Sequence, residues 1–131
     1  MIPRTVFKEE HEIFRDSVRK FLEEEIAPHH EQWEVDGQVD RSAWLKAGEM
    51  GMISPTVPVE FGGVGVDFRY NAIIDEEVAR LGLTGLGFAL HSDIAVPYII
   101  HYGTDEQKKK YLPGIVAGKE LWCQGYSEPS A

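Results

Sequence analysis

The chain has 131 residues, a length typical of one domain, and 43% of them are hydrophobic, which is enough to build a packed core. The formal net charge of −9 argues against binding to nucleic-acid phosphates or to an anionic membrane, because both need an excess of Lys and Arg. The single cysteine, Cys123, excludes an internal disulfide and fits a reducing, cytoplasmic compartment.

The first predicted element is an amphipathic helix. Apolar residues recur at helical spacing from Phe7 to Ile26, with Glu, Lys and Arg between them. Thr5 is the expected N-cap of this helix. Pro28 is expected to interrupt it, before a short helical continuation that stops near Gly37.

Two further helices and a loop follow. Asp40 is the expected N-cap of a helix over residues 41–50, and the Gly- and Pro-rich segment 51–65 is predicted to be a loop. A helix over residues 67–81 comes next, with Gly82 as its C-terminal stop.

The segment from Leu86 to Tyr102 is apolar almost all round, which predicts the most buried helix of the fold. It is shorter than the ~20 residues of a membrane span, so no membrane insertion is expected. Pro97 should kink or restart the helix. His91 and Asp93 interrupt the apolar pattern, either as a polar pair at a helix end or as groups that face a ligand cavity.

The last part of the chain combines helical and strand patterns. Thr104 and Gln107 have the spacing of a capping box, which predicts a short helix to Tyr111 and another that starts at Pro113. After Gly118 the pattern is that of a β-strand, which has no partner in this chain.

The fold predicted from these patterns is mainly α: an orthogonal bundle of about five to six helices over residues 1–118. Residues 119–131 are predicted to be the first strand of a β-domain that this chain lacks. A chain that ends at Ala131 is therefore expected to be truncated, and to self-associate through the apolar surface left open.

Four sequence blocks carry a resemblance to a known family. In chain order they read PVEFGGVG at 58–65, DEEVAR at 75–80, YGTDEQKKKYLP at 102–113 and WCQGYSEP at 122–129. Together and in this order they resemble the N-terminal part of acyl-CoA dehydrogenases, from the first helix to a flavin-proximal signature. The family's signature continues into Gly-Ser-Asp after Ser-Glu-Pro, and here the chain ends before that step.

The resemblance implies a flavoprotein that uses FAD. In such enzymes a carboxylate removes the α-proton of an acyl-CoA thioester, and a hydride passes from the β-carbon to the flavin. The proteins are homo-oligomers, tetramers or dimers, and they use an electron-transfer partner. Their catalytic glutamate lies far downstream of the matched blocks, so the resemblance implies no catalytic residue in this chain and no activity of the chain by itself.

The resemblance also suggests which residues contact the ligands. Those that match flavin-contacting positions are Gln124, Tyr126 and Ser127. Those expected to line the tunnel for the acyl chain are Leu86, Ala89 and Leu90.

A metal site is the less favoured interpretation of the histidines in the first helical segment. His29 and His30 lie near Glu25 and Glu34 in the sequence. Neighbouring histidines on a helix point in different directions, and the pattern supplies no third ligand. We therefore expect no bound metal.

Two alternatives to a dehydrogenase remain open at this point. One is a stand-alone helical module that binds an acyl group or a partner protein. The other is part of an acyl-CoA oxidase-type flavoenzyme, which would share the same blocks.

Overall fold

The structure is a computed structural model that describes residues 4–130. Over this range the chain forms α-helices joined by two π-helical turns and one 3-10 turn. The α-helices are α1 (Glu9–Phe21), α2 (Ala27–Asp36), α3 (Arg41–Glu49), α4 (Arg69–Arg80), α5 (Val96–Tyr102) and α6 (Asp105–Val116). The π-helical turns are Leu22–Ile26 and Leu90–Ala95, and the 3-10 turn is Val59–Phe61. The predicted mainly helical fold is confirmed. Among the described residues, no helix combines the length and apolar character that crossing a membrane requires.

The first helical segment stops at Gly37 as predicted, but it differs from the prediction at its start and at Pro28. Lys8, not Thr5, is the N-cap of α1, because Lys8 has the extended backbone that precedes the first turn. His11 accepts a hydrogen bond from the Lys8 amide at 3.1 Å, which satisfies one of the open amides of the helix start. Pro28 does not break the segment: it lies in the first turn of α2, where its missing N–H is not needed, and the π-helical turn Leu22–Ile26 joins α2 to α1.

Three other predicted helix ends are confirmed. Asp40 accepts a hydrogen bond from the Ser42 amide at 2.7 Å. Gly82 follows α4 with a φ of +67°, a conformation that glycine adopts without strain. Thr104 and Gln107 form the reciprocal capping box of α6, with hydrogen bonds of 3.2 and 2.8 Å.

Helix α6 is longer than predicted. The structure has one helix over Asp105–Val116 where the sequence predicted a break near Pro113. Pro113 sits inside this helix near its C-terminal end, and its own carbonyl accepts from the Ala117 amide at 3.4 Å. The missing N–H of one proline is tolerated there because the helix is otherwise well capped.

The core has two parts. The larger cluster contains residues of helices α1 through α4 and of the turn that follows α4. In the smaller cluster, α5 packs against α6 and against the loop at Val57. The fully buried residues of the larger cluster include Val18, Leu22, Ile26, Ala47 and Ile73.

A buried ion network closes the interface between α1 and α4. Glu77 is 2% exposed, and its carboxylate accepts hydrogen bonds from Arg15, Arg19 and Arg80 at distances of 2.7 to 3.3 Å. The hydrogen bond from Arg19, with those from the other two guanidinium groups, lowers the pKa of Glu77 to about 2. The carboxylate therefore stays ionised in the folded protein at neutral pH.

The prediction that Leu86–Tyr102 forms the most buried helix of the fold was wrong. Four residues spaced four apart share an exposed face, which we name the apolar stripe: Leu90, Ile94, Tyr98 and Tyr102, with exposed fractions of 47%, 45%, 55% and 83%. Pro97 lies in the first turn of α5, so it restarts the helix after the π-helical turn. Within the described residues, the opposite face of the segment packs into the core through Ala95 and Val96.

The strand predicted after Gly118 does not form within the described residues. Residues 121–128 have no regular secondary structure, and 129–130 form a turn. A strand needs a neighbouring strand for its hydrogen bonds, so the assignment of residues 119–131 to a β-domain stays a prediction.

Candidate functional site

Two grooves adjoin the apolar stripe. The first groove has a volume of about 670 Å³ and the second about 320 Å³. The first is lined by Asp75, Val78, Ala79, Gly82, Leu83, Thr84, Gly87, Phe88, Ala89 and Leu90. The second is lined by Asp93, Ile94, Pro97, Tyr98, His101 and Tyr102. Leu90 in the first groove and Ile94 in the second are neighbours on one face, so the stripe runs through both.

The C-terminal segment lies beside the stripe at Tyr98. The Tyr126 hydroxyl donates a hydrogen bond to the Tyr98 hydroxyl at 3.2 Å. Trp122 packs edge-on against Tyr111 of α6, with ring centroids 5.2 Å apart, and this contact holds the start of the segment on the smaller core cluster. The stripe and the segment therefore form one continuous surface.

The three residues predicted to contact a flavin all lie on this segment. Gln124 is partly buried, and its Nε2 atom is enclosed without a hydrogen-bond partner. Tyr126 and Ser127 are exposed. Their contact with a flavin stays a prediction.

Of the three residues predicted to line an acyl tunnel, two lie in a groove and one lies in the core. Ala89 and Leu90 are exposed in the first groove. Leu86 is 1% exposed within the larger core cluster and lines neither groove. Gly87, with a φ of +76°, turns the backbone between Leu86 and the helical segment, so Leu86 does not continue the stripe at helical spacing.

Sequence reasoning missed the remaining residues of the stripe. Ile94, Tyr98 and Tyr102 continue the spacing of four that begins at Leu90. That spacing is present in the sequence. In a segment that is apolar on almost every side, however, the sequence does not indicate which face lacks a partner.

A polar cluster lies between the two grooves. The Asn71 side-chain amide donates to Asp93, while the Asn71 Oδ1 atom is buried without a partner. Burial, with a hydrogen bond to Asp93, raises the pKa of Asp75 to about 7. Ser92 accepts a hydrogen bond from the Ser54 amide at 3.1 Å, which ties the loop after α3 to this cluster.

His91 has a structural position rather than a place in a groove. It is 1% exposed, and its ring packs edge-on against Trp44 with centroids 5.3 Å apart. Its Nε2 atom lies 3.4 Å from the Glu120 carbonyl oxygen. Burial lowers the pKa of His91, so the ring is neutral at pH 7. Of the pair that interrupts the apolar pattern, only Asp93 reaches a groove.

The histidines near the end of the first segment do not form a metal centre. His30 is buried, and its Nε2 atom accepts a hydrogen bond from the Gly85 amide at 3.3 Å. Within residues 4–130, no group of three or more His, Cys, Asp or Glu side chains is placed to hold a metal ion.

Comparisons with known proteins agree on one family. Residues 8–119 match the family model described as acyl-CoA dehydrogenase, N-terminal domain. Over 128 residues the chain is 47% identical to the mitochondrial long-chain specific acyl-CoA dehydrogenase of Mus musculus, a match that covers 98% of this chain and 30% of the mouse protein.

Solved structures extend this agreement to the fold. A crystal structure of acyl-CoA dehydrogenase from Geobacillus kaustophilus superposes with a TM-score of 0.94 and 43% identity, covering 98% of this chain and 34% of that one. An acyl-CoA dehydrogenase from Bacillus anthracis, complexed with FAD, superposes with a TM-score of 0.89 and 31% identity, covering 99% of this chain and 22% of that one.

The chain thus spans about a third or less of the length of these relatives. The match nevertheless covers almost all of its own length, in sequence and in fold alike. The chain belongs to the acyl-CoA dehydrogenase family and corresponds to its N-terminal helical domain.

Proposed function

We propose that this chain supplies one wall of the acyl-CoA site of a flavin-dependent dehydrogenase, which carries out α,β-dehydrogenation of an acyl-CoA thioester with FAD as hydride acceptor. The observation that carries this proposal is the apolar stripe, which is open along its length and meets the predicted flavin-proximal segment at the contact between Tyr98 and Tyr126.

The stripe suits an alkyl chain. Tyr98 lies eight positions after Leu90, so at the helical rise per residue this part of the face is about 12 Å long. Each methylene that such a face removes from water contributes about 0.8 kcal/mol of binding free energy. Ala89 and Leu90 remain the proposed contacts from the sequence, and we add Ile94 and Tyr98; Leu86 supports them from the core.

The C-terminal segment offers groups that suit the polar edge of a flavin. The enclosed Nε2 atom of Gln124 is a donor without a partner, and the Ser127 hydroxyl is exposed and able to donate or accept. Tyr126 is held beside the stripe by its hydrogen bond to Tyr98. When bound, FAD supplies the hydride-accepting chemistry, and these residues orient it.

We assign no catalytic residue to this chain, because the base of the family's reaction lies downstream of the matched blocks. The chain by itself is therefore expected to lack dehydrogenase activity.

In the longer protein we expect a homo-oligomer, tetramer or dimer, and an electron-transfer partner that reoxidises the flavin. The free cysteine Cys123 fits a reducing compartment, which we propose to be the cytoplasm, although the mouse relative is named as mitochondrial.

The test is Ile94→Glu in the full-length protein that contains this domain. A charge on the stripe would have to be desolvated beside the alkyl chain, and the lost apolar contact alone is worth about 1.5–3 kcal/mol. We expect KM for a long-chain acyl-CoA to rise at least about tenfold, with kcat changed much less. Val35→Glu is the matched control, because Val35 is 78% exposed on α2 and lines neither groove.

An unchanged KM in Ile94→Glu would contradict the proposed wall. Two further measurements separate the alternatives. Tight binding of acyl-CoA by the 131-residue chain without FAD would favour a stand-alone module. Rapid oxygen consumption during turnover, in place of reduction of an electron-transfer partner, would identify an oxidase.

A further inference from the structure

The polar cluster between the two grooves contains two carboxyl groups that line the same narrow void: Asp75 of α4 and Asp93 of the π-helical turn. Two ionised carboxylates in so small a space would repel, whereas a protonated carboxyl group can donate to an ionised one. A hydrogen bond with Asp93 is accordingly among the causes that raise the pKa of Asp75. The Asn71 amide donates to the same Asp93, so Asp93 is the acceptor of the cluster and Asp75 the natural donor.

The surroundings of the pair leave it without a counter-charge. Asn71, Met52, Ile74, Phe88 and Ser92 enclose a narrow void beside it, and none of them carries a charge. In the first groove Asp75 is the one titratable group among the described lining residues, and in the second groove His101 and Tyr98 and Tyr102 accompany Asp93. No lysine or arginine lines either groove in the described part of the chain.

The pair joins the two elements that shape the proposed acyl site. Asp93 lies on the π-helical turn between Leu90 and Ile94 of the apolar stripe. Asp75 lies on α4, which forms the opposite side of the first groove. A hydrogen bond between them therefore fixes how far the stripe stands from α4.

We propose that Asp75 and Asp93 share one proton, and that this hydrogen bond holds the π-helical turn Leu90–Ala95 against α4 and so positions the apolar stripe. Both aspartates are positioning residues, since they act through Leu90 and Ile94. The argument for a shared proton depends only on the residues of this cluster. The expected effect on substrate binding rests in addition on the proposed function.

The shared proton gives the local structure a pH dependence with a defined sign. The pKa of Asp75 is raised in the folded chain, from an ordinary value of 3.8 to about 7. Its contribution to stability is therefore complete below about pH 4 and is lost as the pH rises through about 7. Above that pH the two carboxylates repel, and the π-helical turn should separate from α4 more often.

The test compares the wild-type chain with Asp75→Asn, Asp75→Leu and Asp93→Asn between pH 5.5 and 8.5, and needs no substrate. In wild type, the hydrogen-exchange protection of the Leu90–Ala95 amides, corrected for intrinsic rates, should fall at least about tenfold over this range. In Asp75→Asn the amide donates at every pH, so protection should stay high and constant. In Asp75→Leu, which has no donor, protection should be low and independent of pH. In Asp93→Asn the new amide can donate to an ionised Asp75, so protection should not fall as the pH rises.

Two controls make the result decisive. Asp16→Asn removes an exposed aspartate of α1 and should keep the wild-type pH profile. Carboxyl carbon NMR should show one aspartate titrating near pH 7 in wild type and none in Asp75→Asn. A flat wild-type profile, or aspartates that all titrate near pH 4, would overturn the proposal while leaving the proposed acyl-CoA site intact.

Discussion

At the scale of single residues, Ser54 has an unfavourable conformation. It is fully buried, its φ is +50°, and its hydroxyl has no hydrogen-bond partner. A side chain in this left-handed region costs about 1–2 kcal/mol relative to glycine, and an unpaired buried hydroxyl adds to the cost. The backbone amide of Ser54 is the useful group, because it donates to Ser92.

We predict that Ser54→Gly stabilises the chain. Glycine keeps the amide and removes both the strain and the unpaired hydroxyl. Its greater conformational freedom in the unfolded chain reduces the resulting gain in stability. We expect the free energy of unfolding in urea to rise by about 0.5–1 kcal/mol. Ser17→Gly, in an exposed turn of α1, is the control and should lose a similar amount. A loss of stability in Ser54→Gly would show that the hydroxyl is paired.

At the scale of elements, the pairing of α1 with α4 depends on Glu77. We predict that Glu77→Gln lowers the free energy of unfolding by about 2 kcal/mol at pH 7, because it leaves three guanidinium groups facing a neutral amide. Glu76→Gln should cost much less, since Glu76 is more exposed.

The loss in Glu77→Gln should also depend on pH. The pKa of Glu77 is lowered to about 2 from an ordinary value of 4.5. The ionised carboxylate therefore contributes its full stability above about pH 4.5, and this contribution disappears as the pH falls through about 2. Urea unfolding of both chains at several pH values checks this, and an equal loss at pH 7 and pH 2.5 would contradict it.

Element boundaries were predictable where the signal is local. Asp40, Gly82 and the capping box at Thr104 end or begin helices through their own hydrogen bonds or φ, and the structure confirms them. Pro28 and Pro113 were misjudged because proline forbids one hydrogen bond but not a helix. A helix start or a wider turn accommodates it, and packing decides which.

The candidate site was less predictable than the fold for a related reason. An apolar residue is consistent with both the core and an open face: Leu86 is buried, Leu90 is exposed, and Gly87 turns the chain between them. Motifs located the flavin-proximal segment, but the pairing of Asp75 with Asp93 depends on which sides of two elements meet. Residues eighteen positions apart carry no local sign of that contact.

At the scale of the whole molecule, the apolar stripe is an open face without a partner among the described residues. Its four members are between 45% and 83% exposed and lie along one face. Contiguous exposed apolar surface of this kind promotes association, because contact between two copies removes it from water. The net charge of −9 opposes association at low salt, and screening by salt weakens that repulsion.

We therefore predict that the 131-residue chain self-associates through the stripe, and more strongly as salt is raised from low to physiological ionic strength. Tyr98→Lys places a charge at the centre of the face, which would have to be desolvated in a contact between two copies. Sedimentation equilibrium should show its dissociation constant raised at least about tenfold over wild type, whereas Val35→Lys on α2 should leave it within about twofold. If Tyr98→Lys and Val35→Lys change association equally, net charge rather than the stripe controls it, since both add the same charge and only one lies on this face.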